Sequence, residues 1–291
     1  MNFQTKQPLY ERNRQAVNTN DGFRLVTAEN GVVYLRADNI SCPHGFATRL
    51  GGVSTLPHTS SLNLAFGRGD EDAVVLRNLE LFSAAVGVRP ESVISLHQTH
   101  STDILVVGKC DGGAGYYDRR EDGFAADGYV TDDPGVTLGV KTADCVPILF
   151  EDPVKNIVGA VHAGWRGTAA GIAGVCVQKM VSLGASPENI RAAIGPAICF
   201  DCYEVGDDFI DAVAEMTGPE MAERFVRKKG ERFHADLPGM DRRILTDRGL
   251  KPENISVCRL CTMEHPELFF SHRYSHGKRG TMLSVISPAP M

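Results

Sequence analysis

The chain of 291 residues holds a single tryptophan, no apolar run near the length of a membrane-spanning helix and no extended basic tract. The first absence of length excludes a helical membrane span. The second counts against a nucleic-acid groove, which needs a basic surplus, whereas the formal charge here is −6. Arg227-Lys228-Lys229 is the one compact basic cluster; with Glu223 and Glu231 close by, it reads as a solvated helix end. The amino-terminal stretch MNFQTKQPLYERNRQAVNTNDGF has no apolar segment between a basic start and a small-residue cleavage site, so a secretory signal is not expected. The expected compartment is the cytoplasm, where cysteines stay reduced, and the eight cysteines are read first as thiols. There is no internal repeat and no low-complexity tract.

What remains is the composition of a soluble globular protein, 43% hydrophobic and 23% charged. Residues 1–30 are polar and weakly patterned and read as an N-terminal extension. Residues 31–291 read as one domain, with no strong linker. Strand-like runs are expected at 31–35, 92–96, 104–107, 128–131, 136–141, 145–150, 157–161, 191–194, 255–260 and 282–286. Helical spacing of Val75, Leu79, Phe82 and Val86 after Asp72, and of Ile172, Val175, Cys176 and Met180, predicts two helices. Two more are expected near 208–216 and 240–247. The segment 45–67 is rich in Gly, Ser, Thr and Pro and reads as a strand and a long shaped loop; 109–125 reads as a surface loop. Strands crowd the first half and helices join later, which suits α+β: mixed β-sheets packed with α-helices.

The chemistry gathers in KTADCVPILFEDPVKNIVGAVHAGWRG, residues 141–167, where Cys145 and His162 interrupt apolar runs. Three readings are open. The pair can be a nucleophile and its base, two ligands of one metal, or a buried thiol packing as a small hydrophobe beside an ordinary histidine. SLHQTHSTDI supplies His97 and His100 at the end of a strand. His100 with Cys145 and His162 makes a His₂Cys set with one position open, the count of a catalytic zinc. Spacing alone does not prove that the three converge.

Seven motifs in order give the chain a resemblance. They are GFATRLGGVS with SLNLAFG, HQTHSTD, ADGYVTDDPGVTLGVKTADCVPILF, VGAVHAGWRGTAAGI, AAIGPAICFDCYEVG, DLPGMDRRILTDRGL and CTMEHPELFFSHRYSHGKRG. Over about residues 40–287 the sequence resembles the laccase-domain family, also called polyphenol oxidoreductases and described as zinc-dependent purine nucleoside phosphorylases. The resemblance implies a single domain of the cytotoxic-necrotizing-factor and laccase-domain-like type, a fold associated with cysteine hydrolases. It implies metal ligands at His100, Cys145 and His162, Zn²⁺ as cofactor and Cu²⁺ as a possible substitute. The implied activity is phosphorolysis of adenosine, inosine, guanosine and methylthioadenosine, with deamination of adenosine. Purine nucleosides and phosphate are then the partners.

Phosphorolysis needs cations to hold phosphate against the ribose and to offset charge on the departing purine. Arg49, Arg166 and Arg273 are candidates, with Asn63 for the ribose or the base edge. Plain surface duty is the alternative for Arg49 and Arg273, and helix-cap or salt-bridge duty for Arg166. Trp165 can stack on a purine or simply pack. Two positions depart from the family: relatives tend to read Ser-Tyr-Arg-Arg where this chain has Ser271-His272-Arg273-Tyr274, and Gly-Arg-Met where it has Gly280-Thr281-Met282. Arg279 or Lys278 can compensate nearby.

Three rival functions stand beside this reading. Copper-dependent oxidation of phenols needs many histidines, typically in His-x-His pairs; the chain has nine and no such pair. A metal-free hydrolase would use Cys145 as nucleophile and His162 as base, and has no need of His100. Editing of peptidoglycan precursors, linked to some bacterial relatives, would bring a wall precursor or its ligase as partner. Cys199/Cys202 and Cys258/Cys261 also invite a structural zinc reading, but their long separation favours thiols packed near one another.

Overall fold

The Val146–Asp152 and Ile157–Ala163 strands form an antiparallel hairpin buried at every position. Strands buried on both faces must be sandwiched between two layers. The period of two sorts their side chains. Val146, Ile148, Phe150, Ile157, Val161 and Ala163 join one apolar core, whereas Leu149, Val158 and Ala160 join the other.

The computed structural model describes residues 17–18, 21–95, 97–118 and 125–289. The hairpin centres a six-stranded sheet ordered Ile255–Val257, Arg191–Ile194, Val146–Asp152, Ile157–Ala163, Gly128–Thr131, Ile104–Val106. Its two outermost pairs are parallel and the rest antiparallel. The Ile172–Ser182 helix covers one face of this sheet, and its approach is so close that a Cβ on Gly159 would crowd Cys176 and Met180. A seven-stranded sheet lies on the other side, ordered Val17–Asn18, Phe23–Thr27, Val33–Ala37, His44–Ala47, Met282–Ile286, Thr137–Thr142, Val93–Ile94. Only its last pair is parallel. The Asp72–Val86 helix packs on this core through Val75, Leu79 and Phe82, with Phe82 edge-on to Tyr34 at 6.4 Å. The architecture is α+β, mixed sheets with helices, as the patterning predicts.

Three elements depart from the expectation. Phe23–Thr27 is paired along its length with Val33–Ala37, so the sheet begins inside the segment read as an extension; residues 1–16, 19 and 20 of that segment lie outside the described ones. Arg227-Lys228-Lys229 is not a helix end. It belongs to the Val226–Lys229 strand, which turns at Gly230 (φ +64°) into Arg232–Ala235. A two-residue loop with Gly first is a II′ hairpin signal, which the charge run masked. Cys145 itself stands one residue before its strand rather than within it. The expected loop at 109–125 carries a short 3₁₀ turn, Lys109–Asp111, and residues 119–124 lie outside the described ones. Among the described residues no helix is long and apolar enough to cross a membrane.

Candidate active site

Strand parity aims the first two residues. His162 shares its face with Val158 and Ala160, toward the seam between the sheets. It pairs with Pro147, and Ala163 with Val146, so Cys145 continues the Pro147–Leu149 face on the adjoining chain. Both side chains therefore meet at one end of the intersheet seam. His100 arrives from a turn and has φ +61°, the left-handed region that costs a non-glycine residue about 1–2 kcal/mol. Its ring closes edge-on to His162, with centroids 4.8 Å apart and planes at 85°. Gly164 makes room for it, since a Cβ there would collide with the His100 ring. Cys145 Sγ lies 3.8 Å from His100 Nε2, and the three potential ligand atoms are all within 4.8 Å of one another.

Asp127 holds this arrangement. Fully buried, it accepts the Thr99, His100 and Ser101 amides at 3.1, 3.1 and 2.7 Å and the Ser101 hydroxyl at 2.9 Å. The strained turn is thus held by a carboxylate that would otherwise be desolvated without partners. Its Oδ1 also accepts from His162 Nδ1 at 2.7 Å, leaving Nε2 of His162 free toward Cys145. Burial works to raise the Asp127 pKa, but bonds from His162 and Ser101 hold it well below the carboxylate range. Burial likewise works against charge on both site residues. The Cys145 thiol is pushed up by it, yet the His162 charge and bonds from both histidines bring it down to about 6. His162 is pushed down by burial, and Cys145 and Asp127 more than offset this, raising it to about 9. A thiolate facing an imidazolium is the favoured state of the metal-free pair. Asp127 is legible in the sequence only as an aspartate inside the apolar run of AADGYVT.

Two imidazoles and a readily ionised thiol, one imidazole braced by a buried carboxylate, fit a zinc ion by donor type and count, and they also fit copper. Together with Arg68, Lys141, Arg279, Gln98 and Phe66 they line a cavity of about 290 Å³. Among the described residues no carboxylate lines it. Burial and then Arg68 push Lys141 down to about 8 and Arg279 to about 10. Arg279 spends Nη1 on Gly280 O and Thr281 Oγ1, while its buried Nε has no partner. Asp144 and Cys145 offset only part of the charge on Arg279, and three cations lining one cavity without a carboxylate in its wall suit an anion.

The residues expected to bind substrate stand elsewhere. Arg49 lines an adjoining cavity, donates to Ser60 O and Pro266 O and stacks on Phe270 at 4.6 Å. Asn63 is fully buried; its amide donates to Ala65 O and Asp70 and its oxygen accepts from Thr281 N. Arg166 is exposed and lies over Trp165 at 4.2 Å, and Trp165 packs on Phe209 at 5.1 Å. Arg273 sits over Tyr203 at 5.3 Å and donates to Glu204 O at 2.9 Å. None of the four lines the cavity at the triad. Tyr274 is exposed beside Arg49, and Thr281 lines the cavity, where it receives the Arg279 bond.

Asp144, directly before Cys145, is a bracket between loops. At φ +91° it accepts the Thr262 hydroxyl at 2.6 Å on one oxygen and the Arg273 amide at 2.7 Å on the other, while its carbonyl accepts Ile198 N.

Against this geometry stand the comparisons. Residues 43–289 match the family model described as multi-copper polyphenol oxidoreductase laccase. A purine nucleoside phosphorylase of Deinococcus radiodurans is 37% identical over 257 residues, 88% of this chain and 93% of the relative. The purine nucleoside phosphorylase YlmD of Bacillus subtilis is 39% identical over 244 residues, 83% of this chain and 87% of the relative. The crystal structure of YlmD from Geobacillus stearothermophilus superposes with a TM-score of 0.80 at 34% identity, covering 88% of this chain and 96% of that one.

Proposed function

The chain belongs to the family described as multi-copper polyphenol oxidoreductase laccase, whose relatives include purine nucleoside phosphorylases, and we propose that it cleaves purine nucleosides with phosphate and also deaminates adenosine. The observation that carries this reading is the adjacency of two sites in one cavity. A thiol and two imidazoles converge, and three cations line the same cavity, with no carboxylate in its wall among the described residues. An anion and a thiophilic metal are accommodated side by side.

In this reading His100, Cys145 and His162 hold zinc, which when bound supplies Lewis acidity beside the substrate. Arg68, Lys141 and Arg279 bind phosphate and turn an oxygen toward the ribose C1′. As that oxygen bonds to C1′, the glycosidic bond to the purine nitrogen breaks and its electron pair stays with the base. The same cations offset the charge that moves onto the purine. Phe66 offers an apolar surface for the base, and the Gln98 amide, bonded both ways to the Lys141 backbone at 2.7 Å, fixes that strand in the cavity wall. Arg279 takes the part assigned by the sequence pattern to the arginines replaced by Tyr274 and Thr281. Deamination replaces the 6-amino group of adenine with a water-derived oxygen and releases ammonia. The cytoplasm suits eight free thiols.

One observation favours a second reading, a metal-free hydrolase: Cys145, His162 and Asp127 are in line as nucleophile, base and orienting carboxylate. His100 separates the two. Adenosine followed by chromatography with zinc-loaded protein, with and without phosphate, tests the proposal. Adenine and ribose-1-phosphate that appear only with phosphate support it. Survival of adenosine in both conditions overturns it. Activity that persists in metal-free His100→Ala favours the hydrolase.

A further inference from the structure

We infer that Cys199, Cys202, Cys261 and Glu264 form a second metal site, separate from the triad, that takes a thiophilic divalent cation such as zinc. Their ligand atoms all lie within 4.8 Å of one another. Glu264 Oε1 is 3.8 Å from Cys199 Sγ and 3.6 Å from Cys202 Sγ. A tetrahedral zinc with sulfur at about 2.3 Å and oxygen near 2.1 Å needs donors about 3.5–3.8 Å apart, so these separations already match.

The local chain supports the same conclusion. Cys199 and Cys202 stand at either end of a tight turn, closed by Cys202 N donating to Cys199 O at 3.1 Å. Cys261 and Glu264 repeat that spacing, so two chelating turns with an x-x interval face one another. The sequence pairs Cys261 with Cys258 by the same interval, and the structure corrects that pairing. Cys258 follows the Ile255–Val257 strand, donates its amide to Ile194 O and is buried in the intersheet core. Cys199 N–H points at Cys261 Sγ across 3.3 Å, which ties the two turns together at their sulfurs. Cys261 is almost fully buried and Glu264 exposed, so the cluster runs from the core to the surface and leaves a path of entry.

A cation at this point fastens two loops that both reach Asp144. Ile198, before Cys199, donates to the Asp144 carbonyl, and Thr262, after Cys261, donates to its carboxylate. Tyr203, after Cys202, carries the Arg273 guanidinium on its ring. The second metal therefore holds the wall beside Cys145 without meeting substrate.

Cobalt(II) added to the reduced, metal-free, full-length chain tests this, because thiolate-to-cobalt absorption grows with the number of cobalt–sulfur bonds. The expected absorption is that of three bonds from the second site, with one more from Cys145 if the triad also fills. Cys145→Ser should retain three. Cys202→Ser with Cys261→Ser, checked for folding by circular dichroism, should lose those three, and Glu264→Gln should bind more than about tenfold more weakly at this site. Absorption of no more than one bond in the unmutated chain overturns the proposal, and no variant is needed to see it. Full absorption in the folded double variant overturns it too, and unchanged affinity in Glu264→Gln removes Glu264 from the ligand set.

Discussion

Two groups of thiols in one molecule are driven in opposite directions. Cys145 and Cys199 both pay the desolvation of burial, but Cys145 faces His100 and His162, and its pKa falls to about 6. Cys199 faces Cys261, a second acidic sulfur, and its pKa rises to about 11. The residue type is the same, so the neighbours decide. At the triad a thiolate exists before any metal comes, braced by an imidazolium that Asp127 supports from behind. At the other cluster Cys199 and Cys202 stay protonated until something brings positive charge. The first arrangement suits reaction and exchange, and the second suits a fastening.

The largest expected effect comes from removing the triad's thiol. Cys145→Ala should lose the metal and lower nucleoside turnover by about 10³-fold, since a Lewis acid contributes several kcal/mol to such a transition state; metal analysis and product chromatography read both. Retained metal and activity would break the contrast between the two clusters. Asp127→Asn keeps the shape but weakens the brace on His162, and should lower metal affinity at the triad about 10- to 100-fold in a chelator competition. Arg279→Ala should raise the phosphate KM about tenfold with a smaller effect on kcat, as loss of a charge-assisted bond of about 1.5 kcal/mol implies. Phosphate binding should also weaken above pH 8, where Lys141 sheds its proton.

The finest test uses pH alone. In metal-free protein, peptide mapping after iodoacetamide should find Cys145 alkylated from about pH 6 upward and Cys199 only as pH nears 11. The stability signs follow from linkage. Cys145 is depressed from 9.0, so its contribution is complete above that value and is lost as pH falls through about 6. His162 is raised from 6.5, so its contribution is complete below that value and is lost as pH rises through about 9. Between pH 6.5 and 9.0 the gain from Cys145 and the loss from His162 offset one another, so the pair should leave the metal-free melting temperature nearly level across that window, whereas Cys145→Ser should remove the ion pair and lower it there.

Sequence patterning reads the sheets well because most strands here are continuous apolar runs, and a polar residue inside such a run stands out. That is how Cys145 and His162 announce themselves. Of the three cations at the cavity only Arg279 is legible, as a neighbour of the departing positions, and the grouping is not, for the opposite reason. Arg68, Lys141 and Arg279 are ordinary charges in three distant segments, and only the pairing of Met282–Ile286 with Thr137–Thr142 draws two of those segments together. Asn63 shows the same limit, since a polar residue in a glycine-rich loop looks ready for a ligand while its amide here donates to Ala65 O and Asp70. Glu264 hides because its partners are cysteines, and a sequence scan pairs like with like.

The seven-stranded sheet carries a consequence for how the protein comes into being. Its Met282–Ile286 strand, last in the chain, lies in the interior of the sheet, between His44–Ala47 and Thr137–Thr142. That gap can therefore close only after residues 282–286 have been made. Arg279 and Thr281 reach the cavity on the same final segment. Such long-range closure is slow, and the cationic part of the cavity depends on it. Loss of a dozen C-terminal residues would not trim an edge; it would leave the sheet in two halves.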